Sequence, residues 1–287
     1  MKKPKKFTAS NFSEFYTRLK EISSSHAAGE SFFYRGESNC GWKLIPVVYR
    51  EIDGCRGVET EAKLYKEAVR NCPNDFPDTL TAFEKLVKMQ HYGLPTRLLD
   101  ITSNPLVALF FACNSHADSD GKVNMISIPE SEIKNYDSDE CVCLGELVSF
   151  PIEKVFPENY QYKVYEWLEK ASCRNQCAWF PQIDTIDKMS LESDIMHFNK
   201  VYCVLPKMDN ARIIRQSGAF LLFGIKNCKK ELADMLFTTE EIIIPSKSKK
   251  SILKELSSMG IDEMSLFPEL ENVLHSLKET LFKNNEL

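Results

Sequence analysis

The spacing of apolar positions changes from one segment of the chain to the next. Phe12, Phe15, Tyr16, Leu19 and Ile22 recur at three- and four-residue intervals, which predicts a helix over 11–23 capped by Ser10 or Asn11. The aromatic run Phe32-Phe33-Tyr34 predicts a strand ending at Arg35-Gly36. Helical spacing returns over 59–72, with Ala62, Leu64, Tyr65, Ala68 and Val69, and over 80–90, with Leu80, Phe83, Leu86, Val87 and Met89. Leu98, Leu99 and Ile101 predict a short strand, in which Asp100 and Thr102 alternate to the face opposite Leu99 and Ile101. Asn104 suits an N-cap and Pro105 the first helical position; Leu106 to Ala112 is apolar all round and predicts a buried helix.

Further along, Gly121 to Ile128 and Val201 to Leu205 predict strands. Residues 211–224 read as a polar turn running into a buried strand, with Gln216 and Gly218 near the join. Thr239 to Pro245 reads as a strand introduced by Glu240 and Glu241, and Lys250 to Met259 as an amphipathic helix with Gly260 at its C′ position. Leu266 to Leu270 leads into a last helix. Residues 129–200, acidic and aromatic, show no regular period and read as an insertion. Helices and strands mix without βαβ alternation, which predicts an α+β fold. The chain is read as a single domain over 1–287, with core at about 30–128 and 201–270 and the insertion at about 129–200.

Composition narrows the functional classes. A hydrophobic content of 43% with 11% aromatics supports a packed core. The net charge of −5 disfavours a surface that coats nucleic acid without regard to sequence. The basic tip Lys2 to Lys6 reads as a solvated tail. No apolar leader follows Met1 and no run reaches membrane-spanning length, so the expectation is a cytoplasmic protein with no membrane contact. Ten cysteines are then mostly reduced thiols. The close pairs Cys141/Cys143 and Cys173/Cys177 lack zinc-knuckle spacing and a nearby histidine, so no metal site is expected.

Polar chemistry concentrates in one stretch, Gln90-His91-Tyr92-Gly93-Leu94-Pro95-Thr96-Arg97-Leu98-Leu99-Asp100-Ile101-Thr102-Ser103-Asn104-Pro105. A strand-turn-helix junction of this composition leaves amides and short polar side chains at one mouth, which suits an anion. A capped turn that only joins two core elements accounts for the same residues. His91 stands at a helix C-terminus, where the helix dipole favours a protonated imidazole. Arg35, beside Gly36 at a strand end, has the fork geometry for phosphate; a surface salt bridge is the alternative.

The Phe33-Tyr34-Arg35-Gly36 motif, the 90–105 stretch and its helix, together with Arg212-Ile213, Gln216, Gly218, Phe220 and Leu266-Phe267-Pro268, resemble the FRG domain family. A weaker resemblance is to ADP-ribosyltransferases with an Arg–Ser–Glu constellation. Tyr34-Arg35-Gly36 looks like their first motif, Asp100 to Ala112 like the second with Asp100 and Thr102 at its serine positions, and Glu241-Ile242-Ile243-Ile244-Pro245 like the third, with Glu240 and Gln216 as rivals for that role. This resemblance implies a mixed-sheet core of the ADP-ribosyltransferase type and NAD⁺ as a substrate. Arg35 and Thr102 would act with Glu241 as the catalytic set. Tyr34, Arg35, His91, Arg97, Asp100 and Gln216 would bind the dinucleotide. The acceptor would be a macromolecule: RNA, DNA or protein. The FRG resemblance also implies a bacterial anti-phage or toxin-type effector, which would need an antitoxin or another neutralising protein.

Two other readings use the same residues. A metal-independent nuclease or phosphoesterase would centre on His91, Arg97 and Asp100, a histidine base with an arginine for phosphate. A non-enzymatic nucleic-acid or protein-binding module would use the polar cluster to read a partner.

Overall fold

The computed structural model describes residues 5–26, 29–52, 55–149, 200–224 and 237–269. Within them the chain is α+β, built on one mixed eight-stranded sheet. Its strands are β1 (Lys6–Thr8), β2 (Glu30–Glu37), β5 (Leu98–Thr102), β6 (Gly121–Pro129), β7 (Ile133–Asn135), β8 (Val201–Leu205), β9 (Gly218–Phe223) and β10 (Thr238–Ile244). β3 (Glu51–Ile52) and β4 (Cys55–Arg56) pair apart from it. The helices are α1 (Phe12–Ser23), α2 (Gly57–Asn71), α3 (Ala82–His91), α4 (Pro105–Cys113), α5 (Asp139–Glu146), α6 (Ala211–Arg215), α7 (Lys249–Ser258) and α8 (Glu263–Leu266).

The strand order is β1-β10-β6-β2-β5-β9-β8-β7, parallel at the two outer pairs and antiparallel between. Its pairing is uneven. β2 is in register with β6 at all eight of its residues and β5 with β9 at all five, but β2 meets β5 only at Tyr34 and Thr102. The sheet is therefore two well-laddered blocks hinged on one residue pair.

Strand alternation sends Phe33, Leu99, Ile101, Ile126, Val201, Leu221 and Phe223 into one core on a single face. The other face carries two separate cores. One packs α1, α4, α7 and α8 on the β1-β10-β6-β2 block. The other packs α3 and α5 on the β5-β9-β8 block. The split in the sheet lies beneath the seam between these two helical layers.

Local chemistry sets the elements at the seam. Asn104 accepts from Leu106 N at 2.9 Å and Pro105 opens α4, whose side chains are buried on almost every side. Thr81 and Glu84 form a reciprocal capping box at the start of α3. Gly93, at φ 83°, turns the chain after α3 toward β5, and Leu94 N closes on Met89 O at 3.0 Å. Gly260 does the same after α7, at φ 77°. Gly36 is required by contact: a Cβ there would sit 1.8 Å from Ala108 O, so α4 lies directly on β2.

Several expectations are revised. Residues 211–215 are a short helix, not a turn, because Asn210 caps it by accepting from Arg212 N and Ile213 N. Glu240 and Glu241 lie within β10, whose Thr238–Ile244 span agrees with the strand expected from Thr239. Lys6 opens β1 rather than ending a tail. Residues 133–146 contribute β7 and α5, and Cys141 and Cys143 of α5 are buried in the same core as β8 and β9. Residues 150–199, Cys173, Cys177 and the expected last helix lie outside the described residues. Among the described residues no helix is long and apolar enough to cross a membrane.

Candidate functional site

Where β2 and β5 part, a cavity of about 170 Å³ opens beneath the seam. It is lined by Tyr34, Arg35 and Gly36 of β2, Asp100, Ile101 and Thr102 of β5, Val107 and Phe111 of α4, and Arg212 with Gln216. A second cavity of about 100 Å³ shares Asp100, Arg212 and Gln216 and extends the cleft to Gln90 and His91.

Arg35 spans the split. Its Nη1 donates to Asp100 O at 2.7 Å, a carbonyl that a fully paired β2 amide would otherwise reach, and lies 3.7 Å from Asp100 Oδ2. Its Nε lies 3.5 Å from Glu37 Oε1, too long for a good hydrogen bond, and both atoms are buried without a hydrogen-bond partner among the described residues. A buried guanidinium nitrogen left this way is costly unless a ligand or water takes it up. Tyr34 also faces the cleft, and burial pushes its phenol pKa up.

A hydrogen-bond relay holds Asp100. Gln90 Nε2 donates to Asp100 Oδ2 at 2.9 Å, Thr96 Oγ1 donates to Gln90 Oε1 at 2.6 Å, and Leu98 N donates to Thr96 Oγ1 at 3.2 Å. The motif residues Gln90 and Thr96 thus orient the one carboxylate among the described residues lining the 170 Å³ cavity. More than half of the Asp100 side chain stays accessible, at 58%.

Thr102 works through the backbone. Its hydroxyl donates to Gln216 O at 2.6 Å and accepts from Asn104 N at 3.0 Å. Ser103 N adds a bond to Ser217 O at 3.1 Å. Ser217 has φ 46°, the left-handed region, at a cost of about 1–2 kcal/mol for a residue with a Cβ. The end of β5 therefore clamps a strained turn, and the turn presents Gln216 to the cleft. Gln216 Nε2 donates to Leu266 O at 3.1 Å, which leaves its Oε1 without a partner among the described residues.

The opposite wall carries a residue with no role assigned from sequence. Arg212, one helical turn before Gln216, lies over the Phe267 ring at 4.7 Å. Its signal was the Arg212/Gln216 spacing, which puts both on one helix face. His91 Nε2 lies 3.6 Å from Glu269 Oε1. Burial, and then the Arg212 charge, hold its pKa below the ordinary value, against the direction that the helix dipole suggested.

Two candidates stand elsewhere. Arg97 is 1% exposed and forms a forked ion pair with Glu61, at 3.0 Å and 2.6 Å, while Nη2 also reaches Leu147 O. It braces the core and does not line the cleft with His91 and Asp100. Glu241 sits on β10, two strands beyond β2, between Lys6 at 3.0 Å and Lys122 at 3.6 Å. It does not line the cleft; of the three rivals for the third motif, Gln216 does. Among the described residues no His, Cys, Asp and Glu group is arranged to hold a metal ion.

The fold and site define a mixed-sheet α+β protein with a polar, arginine-bearing cleft at a split between two strand blocks. Residues 30–121 match the family model of the FRG domain, from the start of β2 through α4 to the first residue of β6. No curated protein and no solved structure matches the chain. Tyr34, Arg35, Asp100 and Thr102 fall within the matched residues, whereas Arg212 and Gln216 fall beyond them.

Proposed function

We propose that the protein cleaves NAD⁺ in this cleft and transfers ADP-ribose to a macromolecule, on a split sheet of the ADP-ribosyltransferase type. The observation that carries the reading is the convergence of Arg35, Asp100, Thr102 and Gln216, from three distant segments, on one cleft. Arg35 lines the cavity with its side chain 19% exposed, and its fork suits a pyrophosphate oxygen.

In the reaction the bond between nicotinamide and ribose C1 breaks, and neutral nicotinamide leaves with the bonding pair. A nucleophile of the acceptor forms the new bond at C1 and releases its proton. The transition state carries positive charge on the ribose. Arg35 would hold the pyrophosphate. Asp100, aimed by Gln90, would supply negative charge to the ribose, a preorganised electrostatic role. The free Oε1 of Gln216 would accept from a ribose hydroxyl, and Thr102 would position Gln216 through the turn. This assignment replaces Glu241 with Gln216 and moves the charge-bearing role to Asp100.

The test is incubation with labelled NAD⁺ and separate pools of RNA, DNA and protein. Label is expected on one pool. It should vanish with Arg35→Ala, fall about 10²–10³-fold with Asp100→Asn, and persist with Glu241→Gln. Absence of nicotinamide release with every acceptor pool overturns the transferase reading.

A further inference from the structure

Arg212 has no carboxylate partner among the described residues, yet it lines both cavities of the cleft. Its guanidinium carbon lies over the Phe267 ring, 4.7 Å from the centroid. Phe267 is itself fixed edge-on against Phe111, at 5.9 Å, in the core beneath α4. A guanidinium seated on a ring leaves N–H groups for a ligand and loses less freedom when it binds one. Across the 170 Å³ cavity stands Arg35. Two arginines, Arg35 and Arg212, and one carboxylate, Asp100, thus line the cavity, and Glu37 Oε1 lies 3.5 Å from Arg35 Nε.

We propose that Arg212 and Arg35 form a two-arginine clamp for the pyrophosphate of a nucleotide. The inference deepens the transferase reading and rests on it for the identity of the donor; the clamp itself takes a nucleoside diphosphate group. Geometry divides the work. Arg35 reaches from the sheet, anchored to the Asp100 carbonyl, and Arg212 reaches from α6, anchored on Phe267. The pyrophosphate between them fixes the attached ribose beside Asp100 and Gln216, which line the same cavity.

The test is calorimetric titration of the full chain with ADP, ADP-ribose and adenosine. Wild type, Arg212→Ala, Arg212→Lys and Phe267→Leu are compared, each checked for an unchanged melting temperature. Loss of Arg212 should weaken ADP and ADP-ribose about 10–100-fold, the worth of hydrogen bonds to a charged group, and leave adenosine unaffected. Arg212→Lys should restore only part of the affinity, because an ammonium neither stacks nor forks. Phe267→Leu should weaken the diphosphates while keeping the charge. Equal ADP-ribose affinity in wild type and Arg212→Ala overturns the clamp and leaves the transferase reading to NAD⁺ turnover. Tight, Arg212-dependent ADP binding with no nicotinamide release from NAD⁺ supports the clamp and overturns the transferase. Failure of wild type to bind either diphosphate overturns the clamp.

Discussion

His26 carried no argument in the sequence, yet its ring lies between two carboxylates. Nδ1 is 2.9 Å from Glu30 Oε2 and Nε2 is 3.2 Å from Glu240 Oε2, with only 12% of the side chain exposed. Burial acts to lower its pKa, but the hydrogen bonds and charges of Glu30 and Glu240 outweigh it and hold the imidazolium above the ordinary 6.5. Ser127 bonds to Glu30 and, with His26, draws the Glu30 pKa down. A raised folded-state pKa means that the unfolded chain releases this proton first. The His26 contribution is therefore complete below pH 6.5 and is lost as pH rises through its folded value. The melting temperature should accordingly fall as pH is raised from 6 through the neutral range, and His26→Gln should remove that slope. An unaltered slope in the variant would separate His26 from the pH response.

Among the elements, the contact between α4 and β2 sets the depth of the cleft. Val107 and Phe111 of α4 line it while Ala108 lies against Gly36, so the helix can sit this close only because position 36 has no Cβ. Gly36→Ala should push α4 off the strand and cost about 1–3 kcal/mol or more, the range for overpacked cores. Denaturant melts and nicotinamide release should decline together, since the displaced helix also displaces Phe111 and the Phe267 wall. A Gly36→Ala protein of wild-type stability would show that α4 gives way freely. The clamp of Thr102 and Ser103 on Gln216 and Ser217 is the second device at this scale. It converts a strand end into support for a turn more than a hundred residues away.

For the whole molecule, the β5-β9-β8 block needs a tie to its flanking segments that lies away from the cleft. Arg97 provides one inside the second block. At the start of β5 it joins Glu61 of α2 to Leu147 O beyond α5, with both charged partners buried. Removing one member of such a pair costs about 3–5 kcal/mol, a large share of the roughly 5–15 kcal/mol that holds a domain folded. Glu61→Ala should thus lower the chemical-denaturation midpoint sharply. The double replacement Glu61→Leu with Arg97→Met should recover most of the loss, because no buried charge is then stranded. A double variant as unstable as the single one would point to a need for the ion pair itself.

The sequence by itself determined the elements at the seam. The Asn104-Pro105 start of α4, the alternation of Asp100 and Thr102 against Leu99 and Ile101, and the stop at Gly260 are set by neighbours within a few residues, where local sterics and hydrogen bonding decide. It also marked Tyr34-Arg35-Gly36 and the Gln90–Pro105 stretch as the chemical centre. Tertiary structure alone decided which polar residues face the cleft. Arg35 and Arg97 look alike in sequence, but Glu61 arrives beside one and a split in the sheet beside the other. Glu241 and Gln216 both stand by an apolar strand, yet β10 pairs with β6 and β9 pairs with β5, so only Gln216 meets Thr102. Strand order is fixed by contacts across tens to hundreds of residues, and local periodicity carries no record of them.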